Sequence, residues 1–272
     1  KDHNLNFEGE DRIDVINFIK ENRKNFSLGE NLEFHLFEKA NKLSLSFDEV
    51  ALGFNVYPIN SLTYRAYPYL KSRLLHHKTE KFGYDPRRKE LYVFNLTSSN
   101  KIIGFQVRAL DNNGGPKYKT WNIERIYDRL KKPLNVNEEE LDSLNKISMI
   151  FGILTTDLSR QFTVFEGPID SFFMSNTIGL TGVKKQILDF DDIPTVRYFF
   201  DNDIEGKSKM IQKLKRGNTV FMWDKFLKDF RIPSKKVKDL NDLVKYEYKH
   251  RTGCLNALDK YFTNNHLDII FI

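Results

Sequence analysis

The sequence predicts an α/β fold in which a central, mostly parallel sheet is flanked by helices, and a mixed α+β basic segment precedes it. Two observations predict this fold. An apolar run over residues 162–165 ends at Glu166, and a second run over residues 196–200 ends at Asp201 and Asp203. A helix is expected after each acidic end. Two consecutive units of strand, acid and helix are typical of βαβ structure, in which neighbouring strands are parallel.

The composition indicates a globular chain. Hydrophobic residues make up 40% and aromatic residues 14% of 272 residues, which excludes a disordered protein. The single cysteine, Cys254, excludes an internal disulfide and any cysteine-based zinc site within this chain. No apolar run approaches the roughly 20 residues that span a bilayer, so we expect no membrane association and a cytoplasmic location.

The first 63 residues predict a helical platform without catalytic chemistry. Apolar residues at near-helical spacing predict amphipathic helices over residues 11–24 and 31–43. Ser46 and Glu49 have the spacing of a capping box, and they predict a short helix that ends near Gly53.

A basic segment follows, and its character differs sharply from that of the platform. The net charge of the chain is +6, but residues 65–108 alone carry ten Lys or Arg against three acids, with seven aromatics between them. Residues 91–96 and 101–109 are predicted to form a β-hairpin that carries Arg87, Arg88 and Arg108. Such a surface is either a solvated charged face or a surface that contacts phosphates and stacks on bases.

The acidic strand ends predict a site for divalent cations. Neighbouring parallel strands lie ~4.8 Å apart, so Glu166, Asp201 and Asp203 are expected to converge at one edge of the sheet. Asp170 lies about one helical turn beyond Glu166 and faces the same side. Carboxylate oxygens are the ligands that Mg²⁺ prefers. Taken singly, Glu166 or Asp201 is also typical of a helix cap or a solvated turn.

The region after Asp203 predicts a helix over residues 204–216, a strand over residues 219–223 and a further acidic pair, Asp239 and Asp242. This pair either belongs to the acidic site or stabilises the start of a helix through its dipole. The last residues, 246–272, predict a helix and an apolar tail.

The ordered motifs resemble a known family. Strand-Glu-Gly, helix, strand-Asp-x-Asp, helix is similar to the Toprim domain of DnaG-type primases, topoisomerases and related nucleases. The preceding GFQVR, which contains Arg108, resembles a Gly-Phe-x-x-Arg motif of DnaG-type primases. Lys117, in Pro-Lys-Tyr, and Lys146, before Phe-Gly, match further basic positions. VFEGPIDS, VFMWDK and KDLNDLV resemble the primases of large tailed bacteriophages, so host cytoplasm is expected if a phage encodes the chain.

The resemblance covers roughly residues 65–245 and implies a division into four segments. These are a helical platform (residues 1–63), a basic subdomain of the primase core (64–155), the Toprim catalytic domain (156–245) and a C-terminal helical tail (246–272). The segment from Trp121 to Asn145 is longer than the family pattern predicts and carries three consecutive glutamates.

The resemblance further implies a DNA primase, which synthesises RNA primers on single-stranded DNA by nucleotidyl transfer with Mg²⁺ or Mn²⁺, expected as two ions. Glu166 would be the general base or a secondary ligand, and Asp201 and Asp203 would hold the ions. Asp170, Asp239 and Asp242 are further candidate ligands. The nucleic acid or the nucleotide would be contacted by five basic residues: Arg87, Arg88, Arg108, Lys117 and Lys146.

The implied partners are a single-stranded DNA template, ribonucleoside triphosphates, a replicative helicase and an upstream or separate zinc-binding module. The first residue is Lys rather than Met, which led us to expect sequence upstream. Two alternatives stay open. One is a Toprim nuclease that cleaves phosphodiesters, and the other is a non-catalytic, single-strand-binding arm of a primase-helicase.

Overall fold

The computed structural model describes residues 32–111, 116–181, 190 and 193–272. They form two compact units, one with residues 32–156 and Thr181, the other with residues 157–180, 190 and 193–272. The helix predicted over residues 11–24 lies outside the described residues. The division into four segments stays a prediction.

The first unit contains a five-stranded antiparallel sheet in which neighbours in sequence are neighbours in space. Its strands are β1 (Tyr57–Pro58), β2 (Phe82–Asp85), β3 (Glu90–Leu96), β4 (Ile102–Ala109) and β5 (Tyr118–Trp121). The predicted hairpin is confirmed as β3 and β4, which pair from Glu90 opposite Ala109 to Leu96 opposite Ile102.

Five α-helices accompany this sheet in the described part of the first unit. They are α1 (Leu32–Leu43), α2 (Phe47–Phe54), α3 (Ala66–Ser72), α4 (Ile123–Arg129) and α5 (Glu138–Met149). A 3₁₀ helix spans Thr79–Lys81, and a short strand, β6, spans Ile150–Phe151. The capping box of Ser46 and Glu49 is confirmed at the start of α2.

The unexpectedly long segment from Trp121 to Asn145 contains α4 and most of α5. Its three glutamates form the first turn of α5, and the Asn137 side chain caps that helix by accepting the Glu140 N–H at 2.8 Å. Acids in this position stabilise a helix through its dipole, which explains the acidic run locally.

The second unit contains a mostly parallel sheet, as predicted. Its strands are β7 (Phe162–Phe165), β8 (Thr177–Leu180), β9 (Val196–Phe199), β10 (Thr219–Phe221) and β11 (Phe262–Thr263). They lie in the order β11-β10-β9-β7-β8, and only the pairing of β10 with β11 is antiparallel among these five. Because β7 and β9 are parallel neighbours, their carboxyl ends meet at one edge of the sheet.

The α-helices described in this unit are α6 (Pro168–Ser171), α7 (Ile204–Lys215), α8 (Trp223–Asp229) and α9 (Leu240–His250). The strand predicted over residues 219–223 ends at Phe221, because Trp223 begins α8 and donates its indole N–H to the Phe200 carbonyl at 2.7 Å. The predicted C-terminal tail contains 3₁₀ helices over Cys254–Tyr261 and His266–Phe271, with β11 between them.

Aromatic packing forms the core beneath the sheet edge. Phe199 stacks on Phe221 with ring centroids 4.2 Å apart, and Trp223 meets both rings edge-on. These three residues are buried. The ends of β9 and β10 therefore rest on rigid side chains. Among the described residues, no helix is long and apolar enough to cross a membrane.

Candidate functional site

Glu166 and Asp201 lie side by side at the carboxyl ends of two neighbouring strands. In the parallel pairing of β7 with β9, Phe165 lies opposite Phe199. Glu166 follows β7 directly, and the backbone N–H of Asp201 donates to Glu166 Oε1 at 3.3 Å. The structure thus brings these two predicted site residues together, although they are 35 positions apart in sequence.

Asp201 lies in an unfavourable environment for a charged carboxylate. The pKa of Asp201 is raised to about 7, and burial is the largest cause. Repulsion from Glu166, Asp239 and Asp203 also raises this pKa, whereas Lys238 lowers it. The repulsion indicates that the four acids share one electrostatic environment at the sheet edge.

Asp203 serves as the cap of a helix as well as a member of this acidic group. Its side chain caps α7 by accepting the Gly206 N–H at 2.9 Å. Lys238 Nζ lies 3.1 Å from Asp203 Oδ2. The hydrogen bond from Gly206 and the Lys238 ammonium both lower the pKa of Asp203, so this carboxylate stays charged at neutral pH.

Gly206 allows the start of α7 to approach the end of β9 closely. A Cβ atom at this position would lie 1.9 Å from the Asp201 carbonyl oxygen, which is far inside contact distance. By contrast, a Cβ on Gly167 would meet nothing within 4 Å. The position of Asp201 relative to α7 therefore depends on glycine at 206.

Two lysines that the sequence analysis did not select neutralise the acidic group. Lys209 on α7 forms an ion pair with Glu166, and its Nζ lies 3.4 Å from Glu205 as well. Lys238 pairs with Asp203. The spacing of Glu205 and Lys209 is a visible i,i+4 signal, but nothing local in the sequence indicates the contact with Glu166.

The later acids surround the start of α9. Asp239 caps this helix by accepting the Asp242 N–H at 2.7 Å, and Asp242 Oδ1 accepts from Lys245 at 2.6 Å. Asp170 Oδ1 accepts the Asn241 N–H at 2.9 Å. Asp170 therefore joins α6 to α9 through a backbone contact, and its assignment as a metal ligand stays a prediction.

A backbone link brings the two acidic loops together. The Asn202 N–H donates to the Lys238 carbonyl at 2.6 Å, and the Asn202 side chain donates to the Val237 carbonyl at 2.9 Å. The loop before α9 is thereby held against the loop after β9. This explains how Asp239 acts on the pKa of Asp201.

The acids suit a hard divalent cation by their chemistry, because all of them offer carboxylate oxygens. Within the described ranges, however, no three His, Cys, Asp or Glu side chains are grouped closely enough to hold a metal ion. The ammonium groups of Lys209 and Lys238 are the cationic partners of Glu166 and Asp203. A cation bound by Glu166 Oε2 or Asp203 Oδ2 would have to displace the ammonium group paired with that oxygen.

The predicted basic residues of the first unit lie on two features of its sheet. Arg87 and Arg88 are exposed in the turn between β2 and β3, where their backbone N–H groups donate to Asp85 Oδ1 at 2.8 and 3.1 Å. Asp85 is buried. The buried Asp85 carboxylate therefore stabilises the turn, and the turn carries the exposed side chains of Arg87 and Arg88.

Arg108 lies against two aromatic rings on the same sheet. Its guanidinium is 5.1 Å from the Tyr69 ring centroid and 5.0 Å from that of Tyr118. Lys117 is exposed, with Nζ 5.8 Å from the Tyr118 ring. Arg108 and Lys117 therefore share one aromatic surface, which suits contact with a nucleic acid strand.

Lys146 lies apart from these residues, on α5. Its ammonium is 2.6 Å from Asp142, and only 13% of its side chain is exposed. Its side chain is therefore mostly covered and already paired, whereas Arg87, Arg88 and Lys117 are exposed.

The second unit is thus a mostly parallel α/β unit with carboxylates at neighbouring strand ends. Neither a protein-family model nor a curated protein matches the chain. Among solved structures, the chain is similar to the RNA polymerase domain of Mycobacterium tuberculosis primase DnaG, at 15% identity over 93% of this chain and 84% of that chain, with a TM-score of 0.42.

Two further solved structures are similar to the chain. One is a DnaG primase catalytic domain bound to single-stranded DNA, at 14% identity over 93% of this chain and 80% of that chain, with a TM-score of 0.39. The Aquifex aeolicus primase, with zinc-binding and RNA polymerase domains, shares 17% identity over 93% and 68%, with a TM-score of 0.33. The first two of these three structures are DnaG primases, and the third is a primase.

Proposed function

We propose that the chain is the catalytic core of a DNA primase, which joins ribonucleotides into short RNA primers on single-stranded DNA. The observation that carries the proposal is the parallel pairing of β7 with β9, because it sets Glu166 beside Asp201 at the sheet edge. The order of motifs in the sequence supports the same reaction class. Nucleotidyl transfer depends on positioning and on neutralising the phosphoryl charge, and clustered carboxylates serve both needs through bound cations.

The carboxylates have distinct roles in this proposal. Asp201 and Asp203 would hold Mg²⁺ or Mn²⁺, with Asp239 and Asp242 as additional ligands. Bound ions would neutralise the triphosphate and lower the pKa of the attacking 3′-hydroxyl. Glu166 would accept a proton or assist as a ligand. Asp170 would position α9, as its hydrogen bond to Asn241 suggests.

The basic residues would bind nucleic acid through phosphates. Arg87, Arg88 and Lys117 are exposed, and Arg108 lies beside two tyrosine rings on which a base can stack. Lys146 would need to leave Asp142 before it could contact a phosphate.

A non-catalytic single-strand-binding arm is the second candidate. It is favoured by one observation, the neutralisation of Glu166 and Asp203 by the ammonium groups of Lys209 and Lys238. A protein that uses these acids only for structure would keep such ion pairs permanently.

One assay separates these functions. The chain is incubated with single-stranded DNA, labelled ribonucleoside triphosphates and Mg²⁺ or Mn²⁺, and the products are resolved by size. A primase produces labelled RNA. In a parallel reaction with end-labelled single-stranded DNA, a Toprim nuclease shortens the DNA, and a binding arm gives neither product while it still retards the DNA. Absence of RNA products under both metals would contradict the proposal.

The proposed partners follow from the kind of contact that the basic surface can make with DNA. Phosphate contacts position a strand, whereas discrimination among bases needs contacts to base edges. We therefore propose that a zinc-binding module, upstream or separate, selects start sites, and that a replicative helicase is a docking partner. Synthesis by residues 1–272 on templates that differ only at the start trinucleotide tests this. Strong start-site preference would contradict it.

A further inference from the structure

A cavity in the first unit brings together three arginines and a tryptophan. It has a volume of about 410 Å³, and its walls include Arg87, Arg88, Arg129, Trp121 and Leu52. All of its lining residues belong to the first unit, whereas all of the proposed catalytic carboxylates belong to the second. The cavity is therefore a different feature from the carboxylate site.

The positive charge of this cavity exceeds the charge of its own acid. Asp85 is the acidic residue in the lining, and it is already engaged by the N–H groups of Arg87 and Arg88 and by the Asn55 side chain at 3.3 Å. Among the described residues, neither the Arg87 nor the Arg129 guanidinium has a carboxylate partner. Guanidinium groups that have no carboxylate partner favour binding of a phosphate, because its oxygens match the geometry of the guanidinium N–H donors.

The aromatic wall of the cavity is held in a fixed orientation. The Trp121 ring stacks on Phe105 at 6.0 Å between centroids, and Phe54 meets it edge-on at 4.9 Å. Trp121 is nevertheless partly exposed, whereas Phe105 and Phe54 are buried. A planar group that enters the cavity would find a rigid indole surface, and stacking of a base on an aromatic ring contributes about 1–3 kcal/mol.

We propose that this cavity binds a nucleoside phosphate, with the base against Trp121 and the phosphates on Arg87, Arg88 and Arg129. A pocket of this size lies within the range of small-ligand sites. The ligand is either a free nucleotide or one nucleotide unit of a single strand, because both present the same base and phosphate. The proposal rests on the proposed function for the phosphate contacts of Arg87 and Arg88, and it deepens that function by adding Arg129 and Trp121 to a nucleotide site that contains none of the proposed catalytic carboxylates.

The test follows the tryptophan emission of the whole chain during titration with ATP in the presence of EDTA. Removing divalent metal suppresses metal-dependent binding at the carboxylates, so the result does not depend on whether the chain is a primase. The chain has two tryptophans, and Trp223 is fully buried, so a change in emission on binding reports on Trp121. We expect a saturable change with ATP and a much weaker response to adenosine.

Matched variants distinguish a built site from general attraction to a basic protein. Arg129→Gln and Arg87→Gln should each weaken ATP binding by about tenfold or more, because each removes a charge-assisted contact to phosphate. Arg125→Gln is the control, because it removes the same charge from the same helix α4 without touching the cavity. It should change the affinity by less than about twofold.

Competition with an unlabelled single-stranded oligonucleotide identifies the source of the ligand. Displacement of ATP assigns the cavity to a strand, and no displacement assigns it to a free nucleotide; either result upholds the site. Absence of a saturable response would overturn the proposal. Equal losses in Arg129→Gln, Arg87→Gln and Arg125→Gln would overturn it as well, since they would show diffuse electrostatics.

Discussion

Lys209 forms an ion pair with Glu166 across two elements of the second unit, the helix α7 and the end of β7. Lys238 forms the corresponding pair with Asp203. The Lys209 pair is partly buried, whereas Lys238 is exposed, and each pair neutralises an acid that the proposed function assigns to the catalytic site. If the proposed function holds, the lysines and a divalent cation would compete for the same oxygens.

This competition predicts that removing either ammonium strengthens metal binding. Lys209→Gln and Lys238→Gln should bind Mn²⁺ up to about fivefold more tightly, because partly exposed ion pairs contribute up to about 1 kcal/mol. Calorimetric titration with Mn²⁺ measures the change. Lys207→Gln, on the same helix but paired with Asp224, is the control and should leave the affinity unchanged. Weaker binding in the Lys209 variant would contradict the competition.

The close approach of Gly206 to Asp201 predicts that Gly206→Ala lowers the stability of the fold more than Gly167→Ala does. Gly206→Ala places a Cβ 1.9 Å from the Asp201 carbonyl, so the backbone must shift. We expect a loss of about 1–3 kcal/mol in the free energy of unfolding, the usual cost of overpacking. Gly167→Ala has open space and should be close to neutral. Urea denaturation of both variants tests this, and equal midpoints would contradict it.

Glu49 predicts a pH dependence of stability in the first unit. The hydrogen bond from Lys132 and the backbone N–H of Ser46 lower the pKa of Glu49 from 4.5 to about 2. A lowered folded-state pKa stabilises the fold above the unfolded-state value, and this stabilisation is lost as pH falls from about 4.5 towards 2.

The measurement compares wild type with Glu49→Gln by urea denaturation across pH. The wild type should be more stable at pH 7, and the difference that comes from ionisation should shrink below pH 4.5 and vanish only below pH 2. A difference that stays constant with pH would show that the ionisation of Glu49 contributes nothing.

The aromatic surface around Arg108 predicts a salt-dependent effect on DNA binding. Arg108→Gln and Lys117→Gln should each lower the slope of log affinity against log salt by roughly 0.7 on single-stranded DNA, one phosphate contact per residue. Fluorescence anisotropy at several salt concentrations measures the slopes, with Arg125→Gln as the control. An unchanged slope would assign both residues to a solvated face.

The sequence predicted the elements whose signals are local. The two acidic strand ends were predictable because an apolar run, an acid and a helix start follow one another within a few residues. The β3 and β4 hairpin and the Ser46 capping box were predictable for the same reason. The strand after α7 was predicted too long, because the apolar Trp223 looks like strand but its indole bonds to Phe200 at the start of a helix.

Contacts between distant segments were not predictable. Lys209 meets Glu166 across 43 residues, and Arg129 lines a cavity with Arg87 and Trp121 only because three separate segments meet there. A helix cap was the alternative for Glu166 and Asp201, and a helix-dipole role was the alternative for Asp239 and Asp242. In the structure it is Asp203 that caps α7 and Asp239 that caps α9.

The most direct test of the account is primer synthesis by Asp201→Asn and Asp203→Asn. Each change keeps the size of the side chain but removes a metal-ligand charge at the end of β9, so both variants should fold and bind single-stranded DNA like wild type. With saturating Mg²⁺ and labelled ribonucleotides, we expect wild type to synthesise RNA primers and both variants to lose synthesis by at least about a hundredfold. Wild-type levels of synthesis from both folded variants would contradict the assignment of these carboxylates to catalysis.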